Sequence, residues 1–199
     1  MTSTAALTTL EAVKRDLDIE GNEEDAALSA MIGQASASLV SCIGRPLVRE
    51  TVRQTFRLQR PVKALCLDRF PVAAGTVPTV TEKAAPLAPS AFECDSKAGL
   101  LYRLSTDDRY RDWPAEVVVV EYSAGYVLPG AEGRDLPEDI EAAVVALVRR
   151  AYHQLGRDPL LRTLDLQSVK LDWFVPTSGD GMPPEVAAVI DRYRQPIIG

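Results

Sequence analysis

The chain has 199 residues, a net charge of −6 at pH 7 and a pI near 4.9, which suits one domain or one domain with an insertion. The acidic balance argues against a protein that wraps nucleic acid, because phosphate neutralisation requires a surface rich in lysine and arginine. The same negative charge is compatible with an acidic wall along which DNA slides without adhering.

The three cysteines, Cys42, Cys66 and Cys94, are widely separated and include no Cys-x-x-Cys pair. This spacing argues against a zinc site or a disulfide framework and favours a reducing compartment. No run approaches the roughly 18 apolar residues of a membrane span, and the first residues lack the basic and apolar regions of a signal peptide. We expect a soluble chain, cytoplasmic at synthesis, with no membrane partner, no metal and no cofactor.

Two helices are predicted in residues 1–46. Thr8-Thr-Leu-Glu11 matches a capping box, and the apolar spacing that follows predicts a short helix to about Asp18. A second helix is expected to start at Asn22, which would be its N-cap. Gly44 and Pro46 are expected to end it. This helix is rich in small residues, among them Ala30, Gly33 and Ala37. They allow close approach of either the helix after residue 137 or a copy of the same helix in another subunit.

Short extended runs replace the helical pattern in residues 47–122. Candidate strands surround Val52 to Leu58, Ala64 to Leu67, Val77 to Thr81, Ala91 to Cys94 and Leu100 to Leu104, and prolines and glycines separate them. The pattern predicts a small antiparallel sheet inserted between two helical blocks. The β-branched run from Glu116 to Tyr122 lacks strict alternation, so we expect a strand that is covered on much of both faces and closes the sheet. Trp113-Pro114 is expected to anchor its start.

A helix is predicted within residues 123–156. Ser123-Ala-Gly-Tyr126 breaks the preceding strand, and the apolar spacing from Ile140 to Leu155 is helical. Acidic residues occupy its first turn, whereas Arg149, Arg150 and His153 lie near its C-terminal end, as the helix dipole favours.

Residues 157–199 carry little helical signal until Pro183. Leu164 and Leu166, then Val169 and Leu171, alternate with polar residues, which predicts an extended arm or a hairpin, with a bulge as one possibility. A short last helix follows Pro184. The chain ends on Ile197-Ile198-Gly199, where apolar side chains suggest a partner; a frayed terminus explains them equally well.

Together these patterns predict an α+β fold that is mainly helical. We expect a core of three to four helices, an inserted small antiparallel sheet, and an extended C-terminal arm and helix. Within a single domain, the expected segments are the N-terminal helices (1–46), the β-rich insertion (47–122), the core helix (123–156), and the arm, last helix and tail (157–199).

Catalytic signatures are missing from the sequence. There is one histidine, His153, and no phosphate-binding, dinucleotide-binding or nucleophile-elbow motif. The acidic groups are explained by helix N-termini or by charged loops. An alternative is a small cytosolic enzyme with a site at the sheet end near Tyr122, Tyr126 and Asp107. Another is a monomeric protein-binding module.

The order of elements resembles a known structural family. The segments that carry the resemblance are Leu7 to Lys14, the acidic turn Asn22 to Asp25, Ile43-Gly-Arg-Pro46, Val120 to Tyr126, Leu136 to Ile140 with Tyr152, and Pro184 to Arg194. Together they are similar to the head-to-tail connector, or adaptor, family of long-tailed bacteriophages and phage-derived gene transfer agents. The resemblance spans nearly the whole chain, with residues 47–115 and 157–183 matching least closely.

The resemblance implies a structural, non-enzymatic protein. Members form a ring, usually twelve-fold in the particle, between the portal protein and a tail-side stopper or terminator. The ring extends the channel through which genome DNA leaves, without sequence-specific binding. The helical core is then expected to make subunit contacts, and the last helix and tail to reach the portal. The expected subunit contacts are Ala30, Gly33, Ala37, Arg149 and His153; the expected portal contacts are Val186, Ile190, Tyr193, Arg194, Ile197 and Ile198.

Overall fold

The computed structural model describes residues 5–154, 163–166, 169–172 and 183–194. Within them the helices are α1 (Leu10–Leu17), α2 (Asp25–Ile43), α3 (Glu138–Gln154) and α4 (Pro184–Tyr193). The strands are β1 (Glu50–Arg57), β2 (Ala64–Cys66), β3 (Thr79–Glu82), β4 (Ala85–Pro86), β5 (Phe92–Asp95), β6 (Leu100–Leu104), β7 (Tyr110–Arg111), β8 (Val117–Ala124), β9 (Thr163–Leu166) and β10 (Val169–Asp172). A 3-10 turn covers Pro89–Ala91.

The fold is α+β, and the prediction that it is mainly helical was wrong. Between α2 and α3 the chain forms two four-stranded antiparallel sheets rather than one small sheet. The prolines and glycines end each strand after a few residues, and the two sheets bury one common core.

Two compact units divide the chain. The helical unit comprises residues 1–45 and 128–199, and the β unit comprises residues 46–127. They are described separately.

The helical unit is organised around α3, which packs on α1, α2 and α4, while α2 also packs on α1 and α4. Its fully buried side chains include Leu28, Leu39, Ile140, Val144 and Val148. Each such side chain contributes roughly 1.5–3 kcal/mol by leaving water. Burial recurs at helical spacing along α2 and α3, which is why the sequence pattern located both helices.

The ends of the first two helices differ in how they are capped. Thr9 caps α1, since its hydroxyl accepts a hydrogen bond from the N–H of Ala12 at 3.2 Å. The capping box predicted to begin at Thr8 was therefore wrong by one residue, and the Thr8 hydroxyl donates to Glu141 at 3.0 Å. The predicted Asn22 cap of α2 was wrong, because Glu24 occupies that position without a side-chain cap. The Asn22 side chain instead accepts a hydrogen bond from the ammonium of Lys14 at 3.2 Å, and Lys14 also pairs with Asp25 at 2.7 Å.

By length and composition, α2 is apolar enough to cross a membrane. Ser29, Gln34 and Ser36 interrupt it, so it contains no uninterrupted run of 18 apolar residues. A core helix meets the same criterion, and α2 buries Leu28, Ile32, Leu39 and Ile43 within the helical unit.

The β unit consists of two sheets. Sheet A has the strand order β1-β8-β3-β4, and sheet B has the order β2-β6-β5, with β7 also pairing with β6. Trp113 is fully buried, and its indole N–H donates to the carbonyl oxygen of Leu101 at 3.0 Å. This agrees with the anchoring role that the sequence predicts for Trp113.

The structure corrects the interpretation of the valine run in β8. This strand lies inside sheet A, between β1 and β3, and does not close the sheet at an edge. Its burial alternates: Val118 and Val120 are buried, whereas Val117 is 47% exposed. One face of the strand therefore contacts the core and the other faces solvent.

The corner after β8 depends on Gly125, whose φ is +98°. A Cβ atom at this position would lie 2.5 Å from the carbonyl oxygen of Val48. The Gly125 N–H donates to the carbonyl of Pro71 at 2.9 Å, and the Tyr126 N–H donates to that of Leu47 at 2.7 Å. Close approach of three backbone segments excludes a side chain here.

In the C-terminal arm, β9 and β10 pair in an antiparallel hairpin, with Leu166 opposite Val169. This agrees with the hairpin alternative of the sequence analysis.

Candidate interaction surfaces

The C-terminal helix α4 is held against the start of α3. The hydroxyl of Tyr193 lies 2.9 and 3.1 Å from the two carboxylate oxygens of Asp139, and Arg192 pairs with the same carboxylate at 2.9 Å. The guanidinium of Arg45 is nearly buried and donates to the carbonyl of Tyr193 at 3.3 Å. The last turn of α4 is therefore fixed by polar contacts from within the helical unit.

These contacts bear on the residues expected to face a portal. Val186 and Ile190 are buried in the core of the helical unit, at 0% and 5% exposure. Tyr193 is half-buried and Arg194 is exposed. Ile197 and Ile198 lie outside the described residues.

A second surface is the small-residue face of α2, which we define by Ala30, Gly33 and Ala37. Ala30 is exposed, and Gly33 and Ala37 are half-buried. A Cβ atom built at Gly33 would meet no atom within 4 Å. The structure thus brings these three predicted residues together beside open space.

The C-terminal half of α3 carries Arg149 and His153. Arg149 forms two hydrogen bonds with the carboxylate of Asp16 in α1, at 2.6 and 2.7 Å, and these raise the pKa of the guanidinium. His153 is exposed and contacts Tyr152 edge to face. The two predicted residues differ, because Arg149 is engaged within its own subunit and His153 presents its ring to solvent.

Two depressions border these residues. One, of about 460 Å³, is lined by Glu24, Ala27, Tyr152 and His153. A hydrogen bond to Glu24 raises the pKa of Tyr152. The other, of about 450 Å³, lies between α1 and α3, and its lining includes two ion pairs, Asp16 with Arg149 and Glu141 with Arg134.

The residues of the alternative enzyme site have structural partners. Tyr122 is buried in the core of the β unit, which raises the pKa of its phenol, and its hydroxyl donates to Gln54 at 3.1 Å. Asp107 lies in the exposed turn between β6 and β7 and accepts a hydrogen bond from Ser105 at 2.6 Å. In the part of the chain that the structure describes, no three histidine, cysteine or acidic side chains are grouped to hold a metal.

Sequence reasoning missed the polar contacts of Asp139 and Asp16, which it assigned only to helix ends or left unassigned. It also missed the arginines on the solvent side of β1, Arg53 and Arg57. The sequence does carry a signal for them, because Arg53 and Arg57 alternate with Val52, Gln54 and Phe56. In the structure the two arginines are exposed and the other three residues are half-buried.

Comparisons with known proteins identify solved structures with a similar architecture. Three solved structures similar in fold come from gene transfer agent (GTA) particles. A chain in the neck of an empty GTA particle computed with C6 symmetry is 20% identical, with a TM-score of 0.55, covering 100% of this chain and 95% of that chain. A chain in the neck of a native GTA particle computed with C12 symmetry is 21% identical, with a TM-score of 0.53 and the same coverage. A chain in the virion of a native GTA particle is 19% identical, with a TM-score of 0.53, covering 96% and 90%.

At these identities the likeness concerns the fold. A comparison with curated protein sequences found no significant match. The model of the head completion protein family matches residues 6–196. Because this match spans nearly the whole chain, as the sequence resemblance predicts, the protein belongs to the head completion protein family.

Proposed function

We propose that this head completion protein is the structural adaptor at the head–tail neck of a tailed phage or gene transfer agent particle. The observation that carries the proposal is the family match over residues 6–196. The fold likeness to chains from GTA necks extends over the whole chain and agrees with it. The family match confirms the predicted family, and the adaptor role and neck location are proposed from it.

The finer proposal is a ring of identical subunits, twelve-fold in the particle, that continues the DNA channel. The small-residue face of α2 supports it, because close helix approach requires small side chains and the space beside Gly33 is empty. His153, exposed near the end of α3, is proposed to join this contact. For Arg149, the ion pair with Asp16 fixes the side chain, so its proposed contribution is to hold α1 and α3 in place at the interface.

The partners on either side are proposed to be the portal protein and a tail-side stopper or terminator. Contact with the portal is assigned to Tyr193, Arg194, Ile197 and Ile198 at the chain's end. Val186 and Ile190 were predicted to share this contact. Their burial within the subunit leads us to propose instead that they support α4 from beneath.

The net charge of −6 fits a protein whose ring encloses DNA. Like charges repel, so the genome passes without adhering to the wall. This role requires no sequence-specific contact with bases.

The test uses particles that carry the full-length chain with a small peptide tag. Electron microscopy is expected to show the tag as a ring of density at the neck, and particles that lack the chain are expected to lose attached tails. Complete particles with an unaltered neck in its absence would overturn the proposal.

Portal docking has a separate test. Ile197→Ser with Ile198→Ser is expected to reduce particle incorporation while the circular dichroism spectrum stays native. Gln195→Ser with Gly199→Ser alters the same tail without removing apolar side chains and is expected to incorporate normally. Equal incorporation of both double variants would contradict a docking role for the two isoleucines.

A further inference from the structure

The solvent-facing side of sheet A is a surface to which the proposed adaptor role assigns nothing. We define the outer face of sheet A by Arg53, Thr55, Arg57, Val117, Val119 and Glu121. These residues lie directly opposite one another in the β1–β8 pairing: Arg53 with Glu121, Thr55 with Val119, and Arg57 with Val117. Val117 is 47% exposed, and Arg53, Thr55 and Arg57 are exposed.

The arginines on this face form no ion pairs. Within the described residues this holds for both Arg53 and Arg57, although Glu121 stands opposite Arg53. By contrast, Glu50 at the start of the same strand pairs with Arg69 at 2.5 Å. With Glu121 counted, the outer face of sheet A carries a net charge of +1 beside exposed β-branched side chains.

Charge is distributed unequally between the two units. The β unit contains eleven basic and ten acidic residues, a net charge of +1. The helical unit contains eleven basic and eighteen acidic residues, a net charge of −7, so it carries the whole negative excess of the chain. A surface with free arginines is therefore complementary to the helical unit of another copy.

A ring also requires two different surfaces on each subunit. Head-to-tail contacts are heterologous, so the patch offered by one copy must fit a different patch on the next. The proposed function supplies one patch, the small-residue face of α2, and leaves its counterpart unassigned. The outer face of sheet A carries the β-branched residues Thr55, Val117 and Val119, and small helix residues allow close approach to such a surface.

The dimensions of the two surfaces agree. At 1.5 Å per residue the 19 residues of α2 span about 28 Å. At about 3.3 Å per residue the eight residues of β1, and likewise of β8, span roughly 26 Å. The two elements are therefore similar in length.

We propose that the outer face of sheet A receives α2 of the neighbouring copy in the ring, with Arg53 and Arg57 facing the acidic N-terminal end of that helix. Glu20 and Glu23, at that end, are exposed and are the acids expected to lie nearest the arginines. The inference rests on the proposed ring, and it adds the second half of the contact between copies.

The experiment is a charge exchange in the full-length chain. Arg53→Glu with Arg57→Glu is expected to lower the fraction of subunits assembled at the neck by about tenfold, because charge pairs across an interface become repulsive. Combining it with Glu20→Arg and Glu23→Arg in the same chain is expected to restore assembly. Lys97→Glu with Arg109→Glu is the control, since it makes the same charge change at exposed positions of the β5–β6 and β6–β7 connections.

Circular dichroism and urea unfolding of each isolated subunit establish that the variants are folded. Normal assembly of Arg53→Glu with Arg57→Glu would overturn the inference. Loss of assembly without rescue by the acidic exchange would also overturn it and assign the arginines to another protein. Normal assembly with impaired DNA retention would overturn it in favour of a contact with the genome.

Failure of the proposed function gives a different result. In that case the unaltered chain itself is missing from the neck, which removes the ring and this contact together. If the unaltered chain assembles at the neck but the charge variants do not behave as expected, the proposed contact is refuted and the proposed function is not.

Discussion

The Tyr193 hydroxyl donates to the carboxylate of Asp139, with oxygen distances of 2.9 and 3.1 Å, across 54 residues of sequence. The contact joins the last turn of α4 to the first turn of α3. Because Val186 and Ile190 are buried on the same helix, the C-terminal helix is part of the helical unit's core. The apolar tail that follows thus leaves from a fixed position.

Removing that hydroxyl is expected to weaken the fold without changing it. Tyr193→Phe should lower the free energy of unfolding by about 1 kcal/mol, the usual net contribution of one hydrogen bond. Urea unfolding followed by circular dichroism measures it. Asp191→Asn, on the exposed side of the same helix, is the control and should change the free energy little. Equal values for the two variants would show that the hydroxyl contact contributes nothing.

Gly125→Ala is expected to be much more disruptive. The added methyl group would sit 2.5 Å from the Val48 carbonyl oxygen in a backbone with φ of +98°, so we expect a loss of about 3 kcal/mol or more. Gly133→Ala has a comparable φ of +74° but nothing within 4 Å, so only the backbone cost of roughly 1 kcal/mol applies. Thermal unfolding of both variants compares them, and similar losses would refute the steric argument.

Arg103 is expected to stabilise the β unit. Its guanidinium is nearly buried, pairs with Glu82 at 3.1 Å, donates to the Ala91 carbonyl at 2.6 Å and lies 5.8 Å from the centre of the Trp113 ring. Arg103→Ala should cost about 3 kcal/mol, because it leaves the Glu82 carboxylate without its partner.

Arg109→Ala provides the matched comparison, since its pair with Asp107 is largely exposed and should contribute little to stability. Chemical unfolding followed by circular dichroism compares the two variants. A loss for Arg103→Ala no larger than that for Arg109→Ala would contradict the importance of burial.

Substitutions of Gly33 are expected to affect folding and assembly differently. Gly33→Ala should raise the stability of the isolated subunit by roughly 0.5–1 kcal/mol, since alanine favours a helix and the space is open. Gly33→Leu should also fold, but its larger side chain should keep a neighbouring copy away from the small-residue face of α2. Native mass spectrometry and electron microscopy of particles measure assembly. Full incorporation of Gly33→Leu would exclude this face from the subunit contact.

Much of the local structure could be predicted from the sequence. The apolar spacing from Leu28 to Leu39 and from Ile140 to Val148 located α2 and α3, because a helix repeats its buried positions every three to four residues. The order of elements led to the family. Leu147 belongs to the same apolar spacing but is only half-buried, beside the fully buried Val144 and Val148.

The candidate surfaces were predicted less completely. Ala30, Gly33 and Ala37 form one face, as their helical spacing indicates. Val186 and Ile190 were expected at an interface but are buried, since an apolar stripe on a helix fits a core and a partner equally well.

By itself, the sequence determined where helices and strands form, because capping residues, prolines and hydrophobic spacing act within a few neighbours along the chain. Only the tertiary structure decided that β8 lies between β1 and β3 with one side open, and that Asp139 meets Tyr193. A run of valines suits either a one-sided or a two-sided strand, and a carboxylate at a helix start suits many partners. Those choices depend on pairing between residues far apart in the chain, and local patterns do not encode it.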